Sequence, residues 1–428
     1  MECGRVRICP PHVNGVKVLL IQPPIRDFYQ TPIRTQPIGL AYLASSLRAQ
    51  GVEVEILDCQ TQQRRSIPVP PELSYLQDFY PFNDQSPFKL YTGYYHFGME
   101  WDEIRRRIEE SKADLFGISS SFTPYHEEAL QVARLIKEWD SRKIVVMGGS
   151  HVSGEPEVVL KSPWVDYVIL GEGEERFSLL VEKIGKARLK EIRGIDGIGF
   201  LVDGHLYLHP LKTFIKDLDG LPHPARDLLH LDRYRIHRKR STMIITSRGC
   251  PHGCAYCSAH LVMGATFRIR SPENILQEML ECHQRYGIEV FDVEDDNLTY
   301  DLGRAKRWLE LLMGAFGERR IELTAMNGFS FAALDGEMLS LMKRAGFHTL
   351  NLSYVSSDPS TQERMRRPRG REDFDHLLKK ALEVGLRIIA YAIMGMPGQT
   401  LEEMVTTLVD LMNKRVLIGP SIYYPVPG

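Results

Sequence analysis

Twice along this chain, short apolar runs alternate with segments of helical periodicity, and this alternation limits the fold more than any other feature. Runs at 16–21, 53–57, 115–119, 144–147 and 167–170 read as strands, with helical patterns at 38–50, 101–112 and 125–139 between them. In the first helix Leu40, Leu43, Ala44 and Leu47 share a face, and Gly51 ends it. Such alternation predicts a parallel, doubly wound sheet of Rossmann-like type, with ligands bound beyond the carboxyl ends of its strands. A second series follows, with strands at 243–246, 290–294, 321–324, 349–353, 387–393 and 418–424. Helices at 272–286, 302–316, 335–345, 373–384 and 401–413 fill its gaps, leaving the sixth strand without one. Between the two series come a hairpin across Asp203-Gly204 and a linker stiffened by Pro222 and Pro224. The expected plan is a tail (1–15), a first domain (16–185), a connector (186–240) and a second domain (241–428).

The length of 428 residues suits two or three domains at a prior of roughly 150 each. A net charge of −2 supplies no general basic field, so nucleic acid is not an expected partner. No uninterrupted apolar run reaches the ~18 residues of a membrane span, and Met1 to Pro11 holds no apolar leader core. The seven cysteines, three of them clustered, suit a reducing compartment rather than a disulfide framework; a cytoplasmic protein is expected.

The clustered cysteines are Cys250, Cys254 and Cys257, at C-x3-C-x2-C spacing just after the run 243–246. Three thiolates on one short loop can each hold one iron of a cubic 4Fe-4S cluster, leaving the fourth iron open to a substrate or cofactor. Two other readings stand beside this one. A closed zinc site needs a fourth ligand, from His252, His260 or Cys282, none of them at a familiar zinc spacing. A purely structural cysteine cluster is the other.

With Tyr256 directly before the third cysteine, the motif resembles the radical S-adenosylmethionine (radical SAM) superfamily, whose signature is C-x3-C-x-aromatic-C. The resemblance implies that Cys250, Cys254 and Cys257 bind a 4Fe-4S cluster, that SAM chelates the open iron, and that reduction cleaves SAM to a 5′-deoxyadenosyl radical. It also implies that the six strand–helix units form a partial (β/α)6 barrel of TIM type. Several strand ends then become expected SAM contacts. They are Tyr256 on the loop, Glu294 and Asp295 after the second strand, Asn327 and Ser330 after the third, and Ser353 and Ser356 after the fourth. Relatives commonly carry a glutamate near that last pair; here Val355 stands before Ser356. Arg366, in Arg366-Arg367-Pro368, is expected at the SAM carboxylate, and Gly395, Pro397 and Gly398, in a G-x-P-G-Q-T turn, at the adenine. A helix N-cap cluster is the other reading of 294–297, and a solvated charge run that of 366–367.

The first series resembles the cobalamin-binding domain that precedes many radical SAM domains. The resemblance is carried by Pro37-Ile38-Gly39-Leu40, Asp114-Leu115-Phe116-Gly117-Ile118-Ser119, Gly148-Gly149-Ser150-His151 and Gly171-Glu172-Gly173-Glu174. It implies that cobalamin's nucleotide tail lies along Ser119, Ser120, Ser121 and Thr123 and the Gly148-Gly149 turn, with His151, Gly171, Glu172 and Gly173 nearby. His151 is expected to be a hydrogen-bonding loop residue, not a cobalt ligand. Glu172 and Glu174 could act as acid or base, or stabilise a helix N-terminus. An aromatic-rich insertion at 68–101 covers the cofactor, shapes a substrate pocket or caps the sheet.

By the resemblance, the chain is a cobalamin-dependent radical SAM enzyme, most commonly a methyltransferase acting on an unactivated carbon of a small molecule. A radical cyclase or rearrangement enzyme and a non-enzymatic cobalamin sensor are the alternatives. A flavodoxin- or ferredoxin-like protein is the expected electron donor. The uncovered last strand is expected to mean either a truncated chain or a barrel that a partner closes.

Overall fold

The structure is a computed structural model that describes residues 15–28, 36–60, 63–79, 93–318, 320–327, 329, 334–367 and 371–427. The chain divides into two compact units, Met1–Phe214 with Pro222–Arg233, and Ile215–Leu221 with Tyr234–Gly428.

The first unit is built on a seven-stranded sheet. In chain order its strands are β1 (Lys17–Gln22), β2 (Glu53–Asp58), β3 (Leu115–Ser119), β4 (Ile144–Gly148), β5 (Tyr167–Ile169), β6 (Ile198–Val202) and β7 (His205–Leu208). Their spatial order is β7-β6-β5-β4-β3-β1-β2. The strands β1 to β5 run parallel, whereas the hairpin β6–β7 joins antiparallel beside β5. Alternate side chains of one strand feed opposite layers. Leu19, Ile21, Phe116, Val145 and Met147 share one cluster with Ile104 and Ile108 of α2 (Trp101–Ser111) and Val132 and Ile136 of α3 (His126–Trp139). Val18, Leu20, Leu115 and Val146 share the other with Leu40 and Leu47 of α1 (Ile38–Ala49) and Phe177 and Leu180 of α4 (Glu174–Gly185). Helices on both faces make the sheet doubly wound. Strand order reverses at β1, so the switch point lies between the carboxyl ends of β1 and β3.

In the aromatic-rich insertion the strand Tyr94–Phe97 pairs antiparallel with both Ile25–Asp27 and Arg64–Ile67, a small sheet that periodicity did not announce. Of the aromatics that make this insertion aromatic-rich, Tyr80, Phe82, Phe88 and Tyr91 lie outside the described residues.

The second unit holds six parallel strands, β8 (Lys239–Ile244), β9 (Val290–Val293), β10 (Glu322–Thr324), β11 (Thr349–Val355), β12 (Arg387–Met394) and β13 (Leu417–Ile422). Ladders join β8-β9-β10 and β11-β12-β13. Isolated parallel bridges, Leu323 to Phe347 and Phe329 to Leu352, link the two halves. Intervening helices are α5 (Pro272–Tyr286), α6 (Leu302–Phe316), α7 (Gly336–Ala345), α8 (Arg371–Glu383) and α9 (Leu401–Met412). The N-caps Ser271, Asp301, Asp335 and Thr400 each accept a backbone N–H of the first turn, typically worth about 1 kcal/mol. Repeated strand–helix units with parallel neighbours are the partial barrel that was expected. Among the described residues no helix is long and apolar enough to cross a membrane.

The first barrel strand ends two residues before the expected 246. Thr246 leaves the ladder because its N–H and hydroxyl both donate to the carboxylate of Asp295. Ser247–Arg248 then pairs antiparallel with Arg268–Ile269 and closes the neck of the cysteine loop.

Candidate functional site

The cysteine loop starts at Gly249, whose φ is +82° and whose N–H donates to Asp296 at 2.9 Å. A Cβ there would fall 2.3 Å from the Thr266 carbonyl oxygen, so only glycine fits this entry. Cys250 and Cys254 are half-buried and Cys257 is exposed. Burial pushes the Cys250 thiol up from its usual range, so ligation must displace its proton, which metals do to coordinating thiols. Inside the loop the Ala255 N–H donates to the Met365 carbonyl at 3.3 Å, and Tyr256 packs on Val355, Met365 and Met396 at the ends of β11 and β12. Tyr256 thus seats the loop on an apolar floor.

Polar hydrogens face the sulfurs. The Asn297 amide lies 4.0 Å from Cys250 Sγ, and an Arg367 guanidinium nitrogen lies 3.8 Å from Cys254 Sγ. Among the described residues no three His, Cys, Asp or Glu side chains converge on a point as ligands of one ion do.

The acidic stretch after β9 divides. Asp295 is buried and accepts from Thr246 and from the Ser247 hydroxyl at 2.6 Å, with Arg304 at 3.8 Å. Its carboxylate braces two strand ends. Glu294 is less buried, and its environment pushes its carboxyl up to about 8, through desolvation first and then Asp292. Asp292 is raised as well, by burial, and accepts from the Thr324 hydroxyl at 2.7 Å. Asn327 is exposed and hydrogen-bonds Glu294, so the structure groups these two expected SAM contacts. Ser330 lies outside the described residues.

After β11 the residues separate. Ser353 is half-buried, and its carbonyl accepts from Arg367 at 3.4 Å. Ser356 is fully buried, 3.3 Å from the Thr407 hydroxyl on α9, and its Oγ accepts the Asp358 N–H. Ser356 thus packs toward α9. Arg366 is exposed with φ +56°, and the neighbouring Arg367 is the arginine turned to the loop. The turn after β12 has Gly395 at φ +82° and Gly398 at φ +75°, with Pro397 exposed. No atom lies within 4 Å of where a Gly395 Cβ would stand, which leaves room for a flat ligand. Gln399 clamps this turn, accepting the Gly395 N–H at 2.8 Å and donating to the Ile393 carbonyl at 3.3 Å; its clamping role was not legible in sequence.

In the first unit Ser119, Ser120 and Ser121 line a cavity at the switch point with Gln22, Pro23 and Tyr125. The Ser119 and Ser121 hydroxyls bond each other at 2.9 Å, whereas the buried Ser120 hydroxyl has no partner among the described residues. Gly149 has φ +112°, and a Cβ on it would lie 2.7 Å from the Ser120 carbonyl oxygen. A Cβ on Gly148 would meet nothing closer than 3.5 Å. His151 is buried, its Nδ1 is 3.3 Å from the Thr123 hydroxyl, and its Nε2 has no partner among the described residues. Burial, then the stacked His126 ring at 4.7 Å, lowers the His151 imidazole to about 4 and holds it neutral. Orphaned buried groups beside a close backbone approach suit a polar ligand tail. The glycines after β5 have structural reasons of their own. Gly171 turns at φ +66°, and a Cβ on Gly173 would strike Leu43 at 2.9 Å. The buried Arg176 holds this loop, donating to the Glu172 carbonyl at 2.7 Å and the Asp196 carboxylate at 2.8 Å, and Glu172 and Glu174 are buried around it.

Residues 244–411 match the model of the radical SAM superfamily, and residues 91–181 that of the B12-binding domain. The chain belongs to the cobalamin-binding radical SAM family. It is an enzyme of that class, with a 4Fe-4S cluster, SAM and cobalamin as its cofactors. It is 27% identical over 396 residues to an uncharacterized methyltransferase of Pyrococcus horikoshii, covering 92% of this chain and 77% of the relative. It is also 27% identical over 424 residues to cytidylyl-2-hydroxyethylphosphonate methyltransferase of Streptomyces wedmorensis, covering 91% and 75%. The solved structure of the radical SAM methyltransferase TsrM from Kitasatospora setae, with cobalamin and a 4Fe-4S cluster bound, superposes with a TM-score of 0.72 at 20% identity, over 95% of this chain and 75% of that one. That likeness confirms the fold of both units.

Proposed function

We propose that this enzyme transfers a methyl group to an unactivated carbon of a small molecule. The observation that carries the reading is one chain holding both the three-cysteine loop and the switch-point site with its orphaned polar groups, in the arrangement of relatives named methyltransferases. When bound, the cluster and SAM supply the carbon radical and cobalamin carries the methyl group. The protein's own residues bind, orient and shield. Cys250, Cys254 and Cys257 would hold three irons, and Tyr256 would fix their loop against the apolar floor. Glu294 and Asn327 would take the amino group of SAM, and the open face at Gly395 and Gly398 its adenine. Gly149 lets the β4 turn approach a nucleotide tail, with Ser120 and His151 offering their free hydrogen-bonding atoms to it. A low-potential donor of the flavodoxin or ferredoxin kind would supply electrons.

The test is anaerobic reconstitution with SAM labelled in its methyl group, followed by mass spectrometry of metabolites that change when the gene is removed. A labelled product one methyl heavier is expected, together with 5′-deoxyadenosine. A ring-closed or dehydrogenated product without label would overturn methyl transfer, and a magnesium-protoporphyrin cyclase of Rubrivivax gelatinosus is among the relatives.

A further inference from the structure

Arg367 does something at the cysteine loop that its place in a basic run does not announce. One guanidinium nitrogen lies 3.8 Å from Cys254 Sγ, and another donates to the Ser353 carbonyl at 3.4 Å. Its own backbone N–H is tied to the Gln362 carbonyl at 2.6 Å, and the same turn receives the Ala255 N–H through Met365. The side chain is therefore held at both ends. On the opposite flank the Asn297 amide faces Cys250 at 4.0 Å, and Asn297 is buried.

Hydrogen-bond donors and cations beside ligating sulfurs stabilise the more negative state of an iron–sulfur centre and raise its potential. A guanidinium stays charged at any working pH and acts strongly where water is partly excluded. We propose that Arg367, assisted by Asn297, sets the reduction potential of the cluster held by Cys250, Cys254 and Cys257, and so makes its one-electron reduction by a low-potential donor easier. Arg367 is then a positioning and tuning residue acting through Cys254, not a catalytic one. The inference rests on the cluster reading of the loop.

The experiment uses the full chain, reconstituted anaerobically with iron and sulfide, without SAM. Iron and sulfide content and visible absorption report the cluster, and a dithionite titration followed by electron paramagnetic resonance reports its midpoint. In Arg367→Gln the ratio of reduced to oxidised cluster at a fixed potential should fall about tenfold, a midpoint about 59 mV more negative for one electron. Arg367→Lys should shift less, and Asn297→Leu should shift in the same direction. Full iron content with an unchanged midpoint in Arg367→Gln overturns the proposal, including the case where only SAM affinity falls. If Arg367→Gln holds no iron, unchanged midpoints in Arg367→Lys and Asn297→Leu overturn it instead. A wild-type chain that binds no four-iron cluster sinks the cluster reading itself, and is recognised before any potential is measured.

Discussion

Glu294 and Asp292 stand two positions apart across the end of β9, so both side chains leave the same side of the chain. Two carboxyls so placed cannot both ionise cheaply, and burial raises both. With Glu294 pushed up to about 8 from an ordinary 4.5, the folded state holds a proton that the unfolded chain has released at neutral pH. The folded-state value is the higher one, so stability is fully present below about pH 4.5 and drains away as pH rises through about 8. Glu294→Gln should therefore leave the melting temperature of the cofactor-free protein unchanged near pH 4.5 and raise it at about pH 8.5. Equal effects at both values would show that the two carboxyls do not share a proton. Val355 marks a different strain: a buried β-branched residue at φ +71°, beside a register shift in β11 and against Tyr256. Such backbone is rare for valine and costs of order 1–3 kcal/mol. No pattern in the sequence signals it.

Turns at strand ends decide which glycines are structural. Gly148 and Gly149 look equivalent in sequence, yet only the second has positive φ and a backbone oxygen where its Cβ would stand. Gly149→Ala should lower thermal stability and cobalamin retention together. Gly148→Ala keeps ordinary contacts within the protein, so any loss of cobalamin with unchanged melting and iron content would place the cofactor against that residue. Unchanged cobalamin absorbance in purified Gly148→Ala would move the tail away from the turn. Element packing also accounts for α9, whose buried residues include Thr407 and Asp410 while Leu401, Val405, Val409 and Met412 are exposed. Beside the buried Leu411 its inner face carries two polar residues, because Tyr354 donates to Asp410 at 2.6 Å and Ser356 meets Thr407. Periodicity alone would have pointed this helix the other way.

At the scale of the whole molecule, the order of strands puts the switch point of the first unit between β1 and β3, where a cofactor is expected. The chain leaving β1 reads Gln22-Pro23-Pro24-Ile25 and offers no imidazole. The stacked His126 and His151 both turn Nδ1 toward Thr123. The cobalt of bound cobalamin is therefore expected to lack a histidine ligand from this chain, which would ease transfer of a methyl group to a carbon radical. Electron paramagnetic resonance of the Co(II) form should show no protein-derived nitrogen splitting. Splitting that disappears in His151→Phe would overturn this.

Strand–helix alternation and the three cysteines with Tyr256 are local signals, because spacing and period reside in neighbouring residues. From them come both α/β units, most element bounds within a residue or two, and the loop expected to carry the cluster. The division of labour among like residues needed the fold. Asp295 braces strand ends while Glu294 bonds Asn327, and Arg367 reaches the loop while Arg366 faces solvent. Ser356 packs outward on α9, and β8 ends early at a bond to a carboxylate 49 residues on. Each depends on which side chains two distant segments bring within hydrogen-bonding reach, and that is settled by tertiary packing rather than by local pattern.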